Sequence, residues 1–169
     1  GPAIRRAVGP KLERRLSAVY RSVFVDLGVV ARVLAEHCPH DARLLDVGGG
    51  DGELLNKLLA IRPDLTVDMV DIATSIGKFI EPALEPRIRR FPATPVETLP
   101  ELPGGYGAAL VSDVMHHLPP GYRRDFLQAV HAKLTPGAPL FVKDIEPGHP
   151  IASLSLFCDR HVSGDKGVS

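Results

Sequence analysis

The sequence has no tryptophan, two cysteines and no net charge, and each scarcity argues against a class of protein. Basic and acidic residues number 20 each and aromatic residues make up 5%, a composition that does not favour a nucleic-acid partner. No apolar run approaches the roughly 20 residues of a membrane span, and no signal peptide is visible at the start. Cys38 and Cys158 form no C-x-x-C pair. We therefore expect reduced thiols in a cytoplasmic protein.

From Arg43 onward, short apolar runs alternate with segments of helical spacing. This alternation predicts an α/β fold: a doubly wound, mostly parallel, Rossmann-like sheet with helices on both faces. The predicted strands are Leu44–Val47, Thr66–Val70, Arg87–Phe91, Ala108–Val111 and Leu140–Val142. The predicted helices are Glu53–Ile61, Ile76–Leu84, Tyr122–Leu134 and Ile151–Cys158.

Ahead of the first strand, apolar residues at three- and four-residue steps predict a helix over residues 11–37, which Gly28 would bend or split. The chain then divides into an N-terminal helical cap over residues 1–42 and an α/β domain over residues 43–169. We expect the apolar stripe to pack on that domain. A lid over a ligand and a homodimer contact are the alternatives, by analogy with this fold class.

The segment Leu44–Gly52, with the sequence LLDVGGGDG, is the most informative part of the chain. A strand, a glycine-rich turn and a helix N-terminus in this order let backbone N–H groups approach a ligand closely. Asp71 follows Asp46 by 25 positions, at the end of the next predicted strand. A carboxylate there can accept hydrogen bonds from both hydroxyls of a ribose. Together these features predict a nucleotide-type cofactor site.

The D-x-G-x-G-x-G pattern over Asp46–Gly52 resembles motif I of the class I S-adenosylmethionine (SAM) methyltransferases. Two later segments follow in the family's order. Ser112–Pro119, with the sequence SDVMHHLP, resembles motif IV of the small-molecule members. Leu134–Leu140 is similar to the family's L-x-P-G-G-x-L turn, with Ala138 in place of the second glycine.

The resemblance implies transfer of a methyl group from SAM to an oxygen or nitrogen of a small-molecule acceptor, with S-adenosylhomocysteine (SAH) as the product. The implied cofactor-binding residues are Asp46, Gly48, Gly49, Gly50, Gly52, Asp71, Ile72, Asp113 and Val114. The implied acceptor-side residues are Met115, His116, His117, Lys143, Asp159 and His161. No metal is expected, because the adjacent histidines have no nearby third ligand in the sequence.

His117 or His116 is a candidate to take a proton from the acceptor, since histidine titrates near neutral pH. Lining of the cleft is the other use, because in-line methyl transfer gains much of its rate from placement alone. For Lys143 and Asp144, the alternatives are an ion pair with each other and a contact with the acceptor.

Two departures from the family pattern qualify the resemblance. Pro95 stands where the family often has an acidic residue near the adenine, so backbone groups around Ala93–Val96 are expected there instead. The family fold ends in a reversed hairpin of strands six and seven, which we expect this chain to lack. A non-catalytic SAM-binding or partner-binding domain is therefore one alternative. An NAD(P)-dependent oxidoreductase is another, although neither the G-x-G-x-x-G spacing nor a Y-x-x-x-K dyad is present.

Overall fold

The computed structural model describes residues 26–144. The strands of this region are β1 (Arg43–Val47), β2 (Thr66–Val70), β3 (Ile88–Phe91), β4 (Ala108–Ser112) and β5 (Leu140–Lys143). Its α-helices are α1 (Leu27–His37), α2 (Glu53–Ile61) and α3 (Arg123–His131). Single 3₁₀ turns cover Pro82–Arg87, Val96–Thr98 and Met115–His117. Within residues 26–144, no helix is long and apolar enough to cross a membrane.

The strands form one sheet in the order β3-β2-β1-β4-β5, and every pairing is parallel. This confirms the predicted α/β class. The central strand β1 pairs with β2 on one side and with β4 on the other, so the order of the strands reverses there. Crevices for ligands form outside the carboxyl ends of strands at such a reversal. The topology therefore places a candidate site beyond Val47 and Ser112.

Successive side chains of a strand point to opposite faces of the sheet, so the strands contribute to two separate apolar layers. Leu44 and Leu110 pack with residues of α1 and α2, including Leu34 and Leu58, on one face of the sheet. The other face packs against α3 and includes Leu45, Val111, Phe126 and Val130. Both layers are needed because a parallel sheet is buried on both faces.

The predicted helix over Ile76–Leu84 is wrong. Gly77 has a positive φ of 62°, and a 3₁₀ turn begins only at Pro82. The N–H groups of Gly77 and Phe79 donate to the carbonyls of Gly50 and Asp51 instead of to their own segment. Ile80 is nevertheless buried, so its helix-like spacing reflects burial and not helical backbone.

The helix predicted over Tyr122–Leu134 is shorter in the structure, because the residues at its predicted end form a parallel β-bridge with Tyr106. The N–H of Tyr106 donates to the carbonyl of Lys133, and the N–H of Thr135 donates to the carbonyl of Tyr106. The chain cannot make these contacts and continue as a helix, so α3 ends at His131. Of the helix predicted over residues 11–37, the described part is helical from Leu27 to His37 as α1. The earlier part and the predicted helix over Ile151–Cys158 lie outside the described residues.

A buried carboxylate in β2 links four neighbouring parts of the sheet. Asp68 is fully buried, and its Oδ1 accepts hydrogen bonds from Arg43 of β1 at 2.9 Å and Arg89 of β3 at 2.8 Å. Its Oδ2 accepts from the hydroxyl of Tyr106, just before β4, at 2.8 Å. Burial by itself raises the pKa of Asp68, but the hydrogen bonds from Arg89, Arg43 and Tyr106 outweigh it and hold that pKa below its usual value.

Replacing this carboxylate should destabilise the domain. We expect Asp68→Asn to lower the free energy of unfolding by about 2–4 kcal/mol, because two arginines lose their ionised acceptor. Urea unfolding at neutral pH measures the loss. Since the folded pKa of Asp68 is depressed, its contribution is present above the unfolded pKa and is lost as pH falls through the folded one, so the two proteins should converge in acid.

The matched control is Glu36→Gln, on the exposed side of α1, which should change stability by less than about 0.5 kcal/mol. Equal stability losses in the two variants would contradict the structural importance of Asp68.

Candidate cofactor and acceptor site

The glycine-rich turn after β1 is closed on three sides by side chains from elsewhere in the fold. A Cβ at Gly48 would lie 2.2 Å from Cγ2 of Val114, and a Cβ at Gly52 would lie 2.3 Å from Cδ1 of Ile80. Gly48 and Gly52 also have positive φ angles of 76° and 87°. Both positions therefore require glycine for space as well as for backbone conformation.

Gly49 requires glycine for space alone, since its φ is not in the left-handed region. A Cβ there would lie 2.2 Å from Oδ2 of Asp46 and 2.7 Å from Cε of Met69. The backbone of Gly49 therefore packs directly against the carboxylate of Asp46, with no side chain between them. The helix α2 starts at Glu53, directly behind the turn, and directs its N-terminus toward this position.

Asp46 is buried, with 2% of its surface exposed, and lies on the face of the sheet that packs against α1 and α2. Among residues 26–144, no group donates a hydrogen bond to its carboxylate. Burial, followed by the negative charge of Asp71, raises the pKa of Asp46 to about 7. A carboxyl group with this pKa at the edge of a crevice is typical of functional sites.

Asp71 stands at the end of β2 and folds the following turn. Its Oδ1 accepts a hydrogen bond from the N–H of Ala73 at 2.9 Å, and its Oδ2 accepts a longer one from Gly50 at 3.4 Å. These contacts hold the carboxylate beside the glycine turn. Ile72, next in the chain, is 77% exposed, which is unusual for a large apolar side chain.

The ends of β4 and β5 form the other side of the crevice. Asp113 follows β4 and binds Lys143 of β5 through both backbone and side chain. His116 follows in the 3₁₀ turn, and its Nδ1 lies 2.6 Å from Oδ1 of Asp144. Lys143 and Asp144 therefore each bind a residue of the segment after β4. The ion pair between Lys143 and Asp144, one of the two alternatives from the sequence, does not form.

His116 and His117 differ sharply in their surroundings. The backbone N–H of His116 also donates to Oδ2 of Asp144, at 3.2 Å, so one carboxylate fixes both the ring and the main chain. Because a carboxylate only accepts hydrogen bonds, Nδ1 of His116 is the donor in this pair. The ring of His117 contacts that of His116 at a tilt of 43°, with centroids 3.9 Å apart. Among residues 26–144, no group of three or more acidic, histidine or cysteine side chains could hold a metal ion.

The structure brings most of the predicted site residues to one end of the sheet: Asp46, the turn Gly48–Gly52, Asp71, Ile72 and the segment Asp113–His117. Asp159 and His161 lie outside the described residues. Sequence reasoning missed Met69 and Ile80, which shape the turn, and Asp144 as the partner of His116. The position of Asp144 just after a strand was the available signal, because polar residues at strand ends face the crevice.

Comparison with solved structures shows the same fold in several enzymes. The amino pentose methyltransferase CalS10 from Micromonospora echinaspora, solved with SAM, has a TM-score of 0.57 and 23% identity over 78% of this chain and 56% of its own. The 1,6-didemethyltoxoflavin N1-methyltransferase from Burkholderia thailandensis, solved with its namesake compound and SAH, has a TM-score of 0.58 and 24% identity over 84% and 63%.

The mitomycin 7-O-methyltransferase MmcR has a TM-score of 0.62 and 23% identity over 89% of this chain and 44% of its own. The chain thus spans about half the length of these structures. No curated protein sequence matches it. The family model described as a methyltransferase domain matches residues 45–140, more than half of the chain, from the middle of β1 to the start of β5. The chain therefore belongs to the methyltransferase domain family.

Proposed function

We propose that this domain binds SAM on the glycine turn and transfers its methyl group to an oxygen or nitrogen of a small-molecule acceptor, leaving SAH. The observation that carries the proposal is the position of Gly49 against the buried carboxylate of Asp46, where no Cβ would fit between them. Family membership supports the reaction type. Two structural neighbours were solved with SAM or with SAH and a small molecule, which supports the cofactor and the acceptor class.

The residues of the turn fit the amino acid end of SAM. The helix N-terminus behind Gly52 favours a carboxylate, because it presents N–H groups and a partial positive charge. Asp46 in its ionised form suits the ammonium group of the same end. Gly50 is the open position of the turn, because a Cβ there would lie no nearer than 3.8 Å to its nearest neighbour, the carbonyl of Gly48, so a ligand can approach the backbone at this residue.

Asp71 is the candidate ligand for the ribose. Its carboxylate has about four lone-pair directions, and the N–H groups of Gly50 and Ala73 use only two of them. The capacity that is left suits the two hydroxyls of a ribose. Ile72, exposed beside it, is placed to cover one face of the adenine, while Asp113 and Val114 border the turn from β4.

Bound SAM supplies an electrophilic methyl group attached to a positively charged sulfur. The contribution of the chain is to position the acceptor and to remove its proton. We assign proton removal to His116, because Asp144 holds its Nδ1–H and thereby leaves Nε2 as the basic nitrogen. His117, Met115 and Lys143 are assigned to the border of the acceptor site, together with the predictions for Asp159 and His161.

Three expectations about the whole protein belong to the same proposal. They are a helical cap over residues 1–42, a homodimer contact through the N-terminal helix, and a cytoplasmic location. No metal and no nucleic-acid partner enter the proposed reaction.

Calorimetric titration with SAH tests the proposal, with NAD as the control ligand. We expect saturable binding of SAH and none of NAD. Gly49→Ala should weaken SAH binding at least about tenfold, because its Cβ would overlap Asp46 and Met69. The matched control is Gly121→Ala, where nothing lies within 4 Å of the added Cβ. Binding of NAD alone, or equal SAH affinity in the two variants, would overturn the site.

The raised pKa of Asp46 predicts a pH dependence of SAH binding. Below about pH 7 the carboxyl is protonated and cannot pair with the ammonium group of the ligand. Affinity should therefore rise with pH up to that value, by as much as about tenfold per pH unit for a single coupled proton. Calorimetry across this range measures the slope. Asp46→Asn should flatten it, whereas Asp125→Asn, exposed on α3, should not. A slope that persists in Asp46→Asn would refute this role.

The two histidines should separate in steady-state kinetics with any acceptor that supports SAH formation. We expect His116→Gln to lower kcat by about 10²–10⁴-fold, the usual contribution of a general base, while SAH affinity is retained. His117→Gln should have a much smaller effect on kcat. Comparable rates for His116→Gln and the wild type would rule out His116 as the base.

A further inference from the structure

The backbone of Asp113, directly after β4, adopts a left-handed conformation. Its φ is 57°, and it is one of three non-glycine residues with positive φ among residues 26–144. Its neighbours Ser112 and Val114 both face the Cβ position of Gly48, at 3.0 Å and 2.2 Å. Aspartate tolerates this conformation better than most residues with a side chain, and contacts with its surroundings stabilise it there.

Lys143 supplies the contacts that fix Asp113. The N–H of Asp113 donates to the carbonyl of Lys143 at 2.8 Å, continuing the pairing of β4 with β5. The ammonium group of Lys143 also binds the carboxylate of Asp113, which accepts a further, longer bond from the hydroxyl of Ser112. The Lys143 side chain is 17% exposed and that of Asp113 is 48% exposed, so the ammonium group lies partly buried against a carboxylate at the surface.

The left-handed residue sets the direction of the chain that follows it. After Asp113 the chain enters the 3₁₀ turn Met115–His117, where His116 meets Asp144 through both its ring and its N–H. Lys143 is the last residue of β5 and Asp144 is the next residue, so the end of this one strand contacts both the bend and the histidine. A change of conformation at Asp113 would move His116 relative to Asp144.

We propose that Lys143 is a positioning residue that acts through Asp113: it holds the left-handed bend that keeps the imidazole of His116 on Asp144. This inference rests on the proposed function only in that His116 is taken as the base. It replaces a direct contact between Lys143 and the acceptor with an indirect role.

Nuclear magnetic resonance of the full chain labelled with ¹⁵N tests this placement without an acceptor. The probe is the Nδ1–H proton of His116, identified by its loss in His116→Gln and protected from exchange by its bond to Asp144. We expect Lys143→Met to lose most of this signal. The double variant Lys143→Met with Asp113→Gly should recover it, because glycine adopts the left-handed conformation without support.

Lys57→Met, on the exposed face of α2, is the matched control and should keep the signal. Retention of the signal in Lys143→Met would overturn the proposal, as would its loss without recovery in the double variant. SAH titration of the same wild-type sample keeps the two ideas apart. A chain that fails to bind SAH would refute the proposed function, whereas the signals of His116 would still decide the role of Lys143.

Discussion

The end of the sheet depends on one steric constraint: the turn after β1 has no room for a side chain at Gly48, Gly49 or Gly52. Val114 occupies the space at Gly48, Asp46 that at Gly49 and Ile80 that at Gly52. These contacts come from three separate parts of the chain, so the turn joins β1, β4 and the segment after β2. The turn is also held by its own hydrogen bonds, since the N–H of Gly48 donates to the carbonyl of Val70 and the N–H of Gly52 donates to the carbonyl of Gly49.

Charge is divided between the two sides of the crevice. On the side of β1 and β2, burial and then the negative charge of Asp71 raise the pKa of Asp46, and neither carboxylate has a cationic partner among residues 26–144. On the side of β4 and β5, each carboxylate has a cationic or imidazole partner, Lys143 for Asp113 and His116 for Asp144. The first arrangement suits binding of a ligand, and the second suits holding a base in place.

The central elements could be predicted from the sequence because their signals are local. The predicted bounds of the strand Thr66–Val70 and of the helix Glu53–Ile61 are those of the structure. The segment after Asp71 could not be predicted in the same way, since its N–H groups bond to the glycine turn more than 25 positions earlier. The partner of His116 was missed for a similar reason. Asp144 lies 28 positions away, and only the register of β4 with β5 brings the two together.

The claim that the glycine turn and the end of β2 form a SAM site is tested most directly by a crystal structure of this chain with SAH. The account predicts the amino acid end of the ligand against Gly49 and Asp46, and both ribose hydroxyls within hydrogen-bonding distance of the Asp71 carboxylate. Density for SAH elsewhere, or a ribose that leaves Asp71 bonded only to Gly50 and Ala73, would contradict it.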